Sequence, residues 1–219
     1  MSVIVIAELG VNWRNLNEAD VMIRECADAG ADIVKFQVFT EDQLPKNLHR
    51  PVPILDEMGV RYLYWRCCQH KIELMITPFY PECVKWINPY VNRWKVRYKD
   101  NQNITLLTEL NATKKEILIS RDRENYPPYG SLYKLLYCIP EYPPKKGHDI
   151  INNFKDFDGA SCHYPCIDIA LDFVKLGAQY LEVHVKRDVY PDNYCPIDNA
   201  VSITMTELGE LVDTIRSWE

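Results

Sequence analysis

Several features that would assign this chain to a common class are missing. No GxGxxG loop follows the first apolar run, where Gly10-Val11-Asn12-Trp13-Arg14-Asn15 stands instead, and this argues against a doubly wound nucleotide-binding sheet. Basic residues are not in excess either, since the chain has 25 Lys and Arg against 31 Asp and Glu, which gives a net charge of −6. We therefore expect no nucleic-acid partner, because such proteins need a basic face to neutralise phosphates.

Long apolar runs and targeting signals are also lacking. The first ten residues, MSVIVIAELG, have no basic residue before the apolar run and no small-residue cleavage site after it. The run is far shorter than the roughly 20 residues that cross a bilayer. We interpret it as a buried first strand and expect a cytoplasmic protein with no membrane partner.

The eight cysteines include no CxxC pair. Cys162 and Cys166 flank His163, but the remaining spacing fits no standard zinc cluster. Without a secretory signal there is no reason to expect an oxidising compartment, so the sequence predicts reduced, structural thiols.

What the sequence does contain is an alternation of short apolar runs with amphipathic stretches, which is typical of repeated β-α units. Its 219 residues predict a single domain, residues 1–219. Strands are predicted over Ser2–Leu9, Asp32–Phe39, Glu73–Phe79, Arg93–Lys99, Glu116–Arg121, Tyr133–Ile139, Gly159–His163 and Tyr180–Lys186. Helices are predicted over Asn17–Ala29, Leu55–His70, Pro81–Ile87, Ile104–Asn111, Asp149–Phe154, Ile167–Leu176 and Thr206–Trp218.

Eight strands with intervening helices indicate an α/β fold, a closed (β/α)8 TIM barrel. The chain is short for such a barrel, for which about 250 residues is typical. The deficit falls around the fifth β-α unit, because Arg121 to Leu132 is rich in Pro and Tyr and leaves no room for a normal helix. The sequence therefore predicts a small barrel that is trimmed there.

Polar residues alternate with apolar ones along several strands. Lys35 and Gln37 share one face of the second strand, Lys95, Arg97 and Lys99 one face of the fourth, and Glu182 and His184 one face of the last. Helices cover the outside of a barrel, so we expect these faces to point into the lumen. Buried charge there is costly unless it is paired or binds a ligand.

Two interpretations of these buried charges are open. One is a self-satisfied ion-pair network such as Lys35–Glu182. The other is an active site at the strand C-termini, where Lys35, Lys95 and Lys99, with Arg97 and Arg121 nearby, form a cationic pocket for a phosphorylated or carboxylated molecule.

Of the five histidines, only His163 and His184 fall on predicted lumen faces, near the ends of adjacent strands. A single inward histidine is more often a hydrogen-bonded core residue. Two that converge are suited to bind a divalent cation.

Motifs in order along the chain resemble the N-acetylneuraminate (sialic acid) synthase family, over its barrel domain. They are Ile6-Ala7-Glu8-Leu9-Gly10-Val11-Asn12, Gly30-Ala31-Asp32-Ile33-Val34-Lys35-Phe36-Gln37, Thr77-Pro78-Phe79, the strand from Lys95, Leu135-Leu136-Tyr137-Cys138 with Glu141-Tyr142-Pro143, Ser161-Cys162-His163, Leu176-Gly177-Ala178, Glu182-Val183-His184 and Asp198. Because the chain ends at Glu219, we expect the family's C-terminal antifreeze-like domain to be absent.

The resemblance implies a transferase that condenses phosphoenolpyruvate with an N-acetylated amino sugar, using a divalent metal (manganese first, magnesium or cobalt as alternatives). It also implies that a homodimer is one form the protein takes. By motif, the phosphoenolpyruvate contacts are Lys35, Thr77, Lys95, Ser120 and Ser161, and the metal ligands are His163 and His184. Tyr142 and Asp198 are assigned to the sugar, and Gln37 and Glu182 complete the substrate-binding set. Glu8, Asp100 and Asp198 are the candidate catalytic carboxylates.

The chain departs from the family pattern at several positions, a number of which lie on the sugar side. Tyr98-Lys99-Asp100 replaces Ser-Gly-Glu, Trp13 replaces a histidine, Arg121-Asp122 replaces Thr-Gly and Cys162 replaces an aspartate. Two alternatives to the synthase function therefore stay open. One is a family member that binds an anion or sugar without turnover, and the other is a phosphoenolpyruvate aldolase with a different aldehyde acceptor.

Overall fold

A computed structural model of the protein describes residues 2–44, 52–124, 132–145, 154–190 and 194–219. Within these ranges, parallel strands form one 9-stranded sheet in the order of the chain. The strands are β1 (Ile4–Gly10), β2 (Ile33–Val38), β3 (Glu73–Pro78), β4 (Arg93–Val96), β5 (Glu116–Arg121), β6 (Tyr133–Cys138), β7 (Gly159–Cys162), β8 (Tyr180–Lys186) and β9 (Ser202–Thr204). The α-helices are α1 (Leu16–Asp28), α2 (Glu57–His70), α3 (Val84–Ile87), α4 (Ile104–Ala112), α5 (Ile167–Lys175) and α6 (Met205–Ser217).

The sheet closes on itself, because β1 pairs with both β2 and β8. The closing ladder runs in parallel register from Ile4 opposite Tyr180 to Glu8 opposite His184. The predicted (β/α)8 barrel is therefore confirmed. The short strand β9 was not predicted, and it extends the sheet past β8 by pairing Ser202 with His184.

The helices begin where side chains can cap them. Asn15 accepts a hydrogen bond from the backbone N–H of Glu18, and Thr204 forms a capping box with Glu207 at the start of α6. The third helix is a composite, since Val84–Ile87 is extended by 3-10 turns over Pro81–Cys83 and Asn88–Tyr90.

Around the fifth unit, β5 ends at Arg121 and β6 begins at Tyr133. Eleven residues separate these strands, and residues 125–131 lie outside the described ranges. The predicted helix Asp149–Phe154 also lies outside them except for its last residue.

The lumen of the barrel has two layers. An apolar floor lies near the strand N-termini and is formed by Ile6, Ile33, Met75, Leu118, Leu136 and Tyr180. Two residues further along the same strands stand Glu8, Lys35, Thr77, Ser120, Cys138 and Glu182. The period of two thus places a polar layer directly above the floor.

Outside the strands, a larger apolar cluster packs the barrel against its helices. All eight cysteines lie within the described ranges, and no disulfide joins any two of them there. Among the described residues, no helix combines the length and apolar character that crossing a membrane requires.

Candidate active site

A cavity of about 520 Å³ opens at the C-terminal ends of the strands. This is the end of a TIM barrel where binding and catalytic residues are normally found. Of the residues assigned a catalytic, substrate-binding or metal-binding role, all except Asp100 line it, namely Glu8, Lys35, Gln37, Thr77, Lys95, Ser120, Tyr142, Ser161, His163, Glu182, His184 and Asp198.

The inner end of the cavity holds a cluster of buried charges. Lys35 Nζ lies 2.6 Å from Glu8 Oε2 and 3.8 Å from Glu182 Oε2, and Lys95 Nζ lies 3.7 Å from the same Glu182 oxygen. Gln37 Nε2 donates to the other Glu8 oxygen at 2.7 Å. The predicted Lys35–Glu182 pair is therefore present, but at the wall of a cavity and not in a filled core.

These neighbours set the charge states. Burial alone would lower the pKa of Lys35, yet the carboxylates of Glu182 and Glu8 raise it above its ordinary value. Burial outweighs Glu182 at Lys95, whose pKa is lowered. Burial would raise the pKa of Glu182, but Lys35 and Lys95 hold it at about 2. The cluster is thus charged and nearly self-neutralised.

Hydroxyl groups surround the two lysines. Lys35 Nζ donates to Thr77 Oγ1 at 3.0 Å, and Lys95 Nζ donates to Ser120 Oγ at 2.6 Å. Ser161 donates to Glu182 Oε1 at 2.8 Å. Each hydroxyl can rotate to donate to an incoming anion, so the lysines and hydroxyls together form a site suited to phosphate or carboxylate.

The two predicted metal ligands face each other across the cavity. The ring centroids of His163 and His184 are 5.3 Å apart. His163 Nδ1 lies 3.0 Å from the carbonyl oxygen of Ile139, to which it must donate, and the Tyr142 hydroxyl lies 3.0 Å from Nε2. His163 Nε2 therefore carries a lone pair toward the cavity.

Burial and the neighbouring His184 lower the pKa of His163 to about 3, so this imidazole is neutral at pH 7. At His184, burial would lower the pKa, but Asp198 raises it, with Asp198 Oδ2 at 3.5 Å from Nδ1. The pKa of Asp198 is lowered in turn, because the interaction with His184 outweighs burial.

The donor atoms around the two histidines indicate whether a metal ion suits this site. Among the described residues, no group of three or more His, Cys, Asp or Glu side chains is arranged to hold an ion. The donors present are nevertheless of a suitable kind. His163 is a neutral imidazole whose Nε2 lone pair faces the Tyr142 hydroxyl, and the buried atoms Glu182 Oε2 and His184 Nδ1 make no hydrogen bond to the described part of the chain. The side chains fit a divalent cation in kind.

At the mouth of the cavity the structure departs from the sequence predictions. Strand β4 ends at Val96 and not at Lys99, because Tyr98–Asp100 forms a 3-10 turn. Asp100 does not line the cavity, and its carboxylate pairs with Arg97. The guanidinium carbon of Arg97 lies 3.4 Å from the centroid of the Phe79 ring, and Arg97 and Lys99 line the entrance.

Arg121 is not part of the cationic pocket, contrary to the prediction. It neighbours Ser120 on β5, so its side chain points to the opposite face, where it lies over the Phe157 ring at 4.7 Å. Trp13 is also outside the cavity, packed against Phe36 and donating to the Gly10 carbonyl.

Two residues that the sequence predictions left without a role belong to the site. Cys138 lines the cavity, and its place two residues beyond Leu136 on β6 could have shown this. Asn12 is fully buried and bonds to the backbone of Asp198, which lines the cavity; its place at the end of the first family motif could have indicated it.

The fold and the site together define a TIM-barrel protein with a cavity lined by lysines, carboxylates and hydroxyls at the end of the barrel where active sites are normally found. Comparison with known proteins shows what the chain is similar to. Residues 53–125 match the model of the NeuB family. Over 97% of its length, the chain is 27% identical to the N,N'-diacetyllegionaminic acid synthase of Campylobacter jejuni, and it covers 75% of that protein.

Two further relatives agree. The spore coat polysaccharide biosynthesis protein SpsE of Bacillus subtilis is 23% identical over 99% of this chain, which covers 68% of it. The N-acetylneuraminic acid synthetase of Leptospira borgpetersenii, solved with citrate, superposes with a TM-score of 0.85 at 27% identity, over 99% of this chain and 84% of that one. The resemblance to the sialic acid synthase family is thereby confirmed, and it extends over the barrel.

Proposed function

We propose that this chain condenses phosphoenolpyruvate with an N-acetylated amino sugar to give a nonulosonic acid and phosphate. The observation that carries the proposal is the meeting of two buried lysines with the hydroxyls of Thr77, Ser120 and Ser161 at the inner end of the cavity. The names of two relatives, synthases of N,N'-diacetyllegionaminic and N-acetylneuraminic acid, support it.

Phosphoenolpyruvate would bind by replacing an interaction that already exists. Glu182 Oε2 lies at 3.7–3.8 Å from both lysines, which is a long ion pair with no hydrogen bond. A phosphate or carboxylate oxygen of the ligand would accept hydrogen bonds from the two ammonium groups in place of Glu182, and the hydroxyl groups would rotate to donate to the ligand as well. The site is therefore preorganised in charge before the anion arrives.

The reaction forms a bond between C3 of the enol pyruvate and the aldehyde carbon of the open-chain sugar. Water adds to C2, and the bond between C2 and the phosphate oxygen breaks. The water supplies the proton that the aldehyde oxygen gains and the one that leaves with phosphate. We assign these proton transfers to Glu8 and Asp198. Both carboxylates line the cavity, Glu8 beside the lysines and Asp198 on the sugar side.

His163 and His184 would hold the divalent cation, with manganese as the first candidate and magnesium or cobalt as alternatives. When bound, such an ion supplies Lewis acidity at the aldehyde oxygen. The chain itself keeps His163 neutral through burial and the neighbouring His184, and its hydrogen bond to the Ile139 carbonyl orients the ring. Tyr142 and Asp198 would orient the sugar.

A second candidate function is favoured by one observation at the mouth. Asp100 is drawn to Arg97 and does not line the cavity, where the family has a glutamate. A phosphoenolpyruvate aldolase that accepts a different aldehyde needs no carboxylate at that point. A screen of aldoses and simple aldehydes distinguishes the two functions.

The proposal is tested by thermal unfolding with phosphoenolpyruvate, with and without Mn²⁺, followed by phosphate release with candidate acceptors. Ligand at a hundredfold excess over Kd contributes about 2.7 kcal/mol, which raises Tm by roughly 5–10 °C in a chain of this size. Lys95→Met should abolish most of this shift.

Lys134→Met is the matched control, because Lys134 pairs with Asp158 at 3.2 Å and does not line the cavity. It should keep the ligand shift. An unchanged shift in Lys95→Met, or no shift in the wild type with either ligand, would reject the phosphoenolpyruvate site. Stabilisation by phosphoenolpyruvate without phosphate release in the presence of any acceptor would show that the chain binds this ligand but does not turn it over.

A further inference from the structure

Asn12, in the turn after β1, is fully buried and uses its whole side chain amide in hydrogen bonds. Its Nδ2 donates to the carbonyl oxygen of Val185 and to Ser202 Oγ, each at 2.9 Å. Its Oδ1 accepts from the backbone N–H of Asp198 at 2.9 Å. One side chain thus joins the end of β8, the start of β9 and the loop that carries Asp198.

Asp198 is held at a second point on its backbone. Ser202 donates to the Asp198 carbonyl oxygen at 2.7 Å, while its own oxygen accepts from Asn12. Asn12 is itself fixed by Tyr190, whose hydroxyl donates to the Asn12 carbonyl oxygen at 2.9 Å. Both peptide groups of Asp198 are therefore tied to buried side chains, and rotation of its backbone would break at least two hydrogen bonds.

The consequence is the position of the Asp198 carboxylate. It lies 3.5 Å from His184 Nδ1 and comes close to Gly10, where an added Cβ would be 3.1 Å from Oδ2. Asn12 itself does not line the cavity. Any effect it has on the chemistry must therefore act through Asp198.

We propose that Asn12, together with Ser202, is a positioning residue that holds the Asp198 carboxylate at the sugar side of the cavity. The amide is suited to this task because it donates and accepts at once, which no apolar or singly functional side chain of this size can do. The kinetic consequence rests on the function proposed above, whereas the structural one does not.

The kinetic test is a double-mutant cycle between Asn12→Ala and Asp198→Asn. We expect Asn12→Ala to lower kcat/KM for the acceptor about tenfold or more, with the KM for phosphoenolpyruvate within twofold of wild type. The double variant should be no slower than Asp198→Asn alone. Once the Asp198 carboxylate has been removed, loss of the side chain that positions it has no further effect on the rate. Multiplied losses in the double variant would overturn the proposal.

Asn111→Ala is the matched control. Its amide also donates two hydrogen bonds, to the Leu107 carbonyl and the Tyr133 hydroxyl, but it lies outside the cavity. It should lower Tm without changing either KM. If Asn111→Ala changes the acceptor kinetics as much as Asn12→Ala does, the effect is one of general destabilisation and the proposal fails.

Hydrogen exchange provides a test that needs no turnover. In Asn12→Ala, amide exchange in the segment 194–201 should accelerate at least tenfold, while the strands of the barrel keep wild-type rates. Ser202→Ala, a milder change that keeps the amide, should accelerate the same segment if Asn12→Ala does not fold. Wild-type exchange at 194–201 in both variants would overturn the positioning role, whereas failure of the wild type to turn over any acceptor rejects only the proposed function.

Discussion

At the scale of single residues, the site depends on charged groups that are buried yet still compensated. Glu8, Lys35, Lys95 and Glu182 are each less than about a twentieth exposed, and each has an opposite charge within 4 Å. Isolated burial of any of them would be strongly unfavourable. The two pairs made by Glu182, at 3.7–3.8 Å, are long enough for a ligand oxygen to replace them, whereas Lys35 and Glu8 are in close contact at 2.6 Å.

Gly10 shows how little space this arrangement leaves. Its φ is +48°, a left-handed conformation, and an added Cβ would lie 2.9 Å from Glu8 Oε1 and 3.1 Å from Asp198 Oδ2. We expect Gly10→Ala to lose about 1–2 kcal/mol of stability through backbone strain and, in addition, to displace one of these carboxylates. Phosphate-release rates and urea unfolding measure the two effects.

Gly177→Ala separates strain from the effect on the site. Gly177 has a φ of +98°, and nothing lies within 4 Å of the position its Cβ would occupy. This variant should lose stability but keep full activity. Equal activity losses in the two variants would show that Gly10 has no special relation to the carboxylates.

At the scale of the elements, the period of two along the strands was enough to predict which side chains enter the lumen. It placed Lys35, Lys95 and Glu182 correctly and would have added Cys138. The alternation gave the wrong end for β4, because a 3-10 turn after Arg97 replaces the predicted last part of the strand. This turn directs Asp100 away from the cavity. Alternation carries no information about where a strand stops.

Long-range contacts between loops were also beyond prediction. Strand β9 has three residues, too few for a periodic signal, and Asn12 meets Asp198 and Ser202 across more than 180 positions of sequence. Family motifs identified Asp198 and the segment of Asn12 separately. The hydrogen bonds that join them depend on barrel closure, which places β1 beside β8.

A ring of polar side chains ties several strands together at the N-terminal end of the barrel. Arg93 on β4 bridges Glu73 on β3 and Glu116 on β5, at 2.8 Å each, and the Tyr180 hydroxyl of β8 donates to Glu116 at 3.0 Å. Burial and the bond to Glu116 raise the pKa of Tyr180 to about 12. Phenols in unfolded chains titrate near pH 10.

This difference gives a prediction for Tyr180→Phe. Because the folded state holds the phenolic proton more tightly, the contribution of the hydroxyl is full below about pH 10 and is lost as pH rises toward 12. Wild type should exceed Tyr180→Phe by about 1 kcal/mol at pH 8, and the gap should narrow between pH 10 and 11. Urea unfolding of the two proteins at pH 8 and at pH 11 measures this difference in stability, and a difference that stays constant or widens with pH would contradict the assignment.

At the scale of the whole molecule, the barrel divides its lumen between two tasks. The apolar floor of Ile6, Ile33 and their neighbours excludes water from below, and the polar layer above it forms the cavity. Stability and ligand binding are thus placed at opposite ends of the same strands, as is usual in this fold. Changes at the N-terminal end should therefore alter stability and leave the cavity intact.

Arg216, on the last helix, tests this separation, because it connects that helix to both β1 and β2. It donates to Asp32 Oδ2 and to the Val3 carbonyl oxygen, each at 2.7 Å, and Asp32 in turn accepts from the backbone of Val5. We expect Arg216→Met to lose about 1–2 kcal/mol, since hydrogen bonds to charged groups contribute about that much when partly exposed, and so to lower Tm by roughly 3–6 °C.

Calorimetry should show one cooperative transition in both proteins, because a single barrel cannot unfold one strand at a time. The rise in Tm caused by phosphoenolpyruvate should be unchanged. Lys175→Met, which removes an exposed pair with Asp172 on α5, should change stability by less than about 0.5 kcal/mol. Two separate transitions in Arg216→Met would show that α6 and β1 form a unit that unfolds apart from the rest, and a lost ligand shift would show that the two ends of the barrel are coupled.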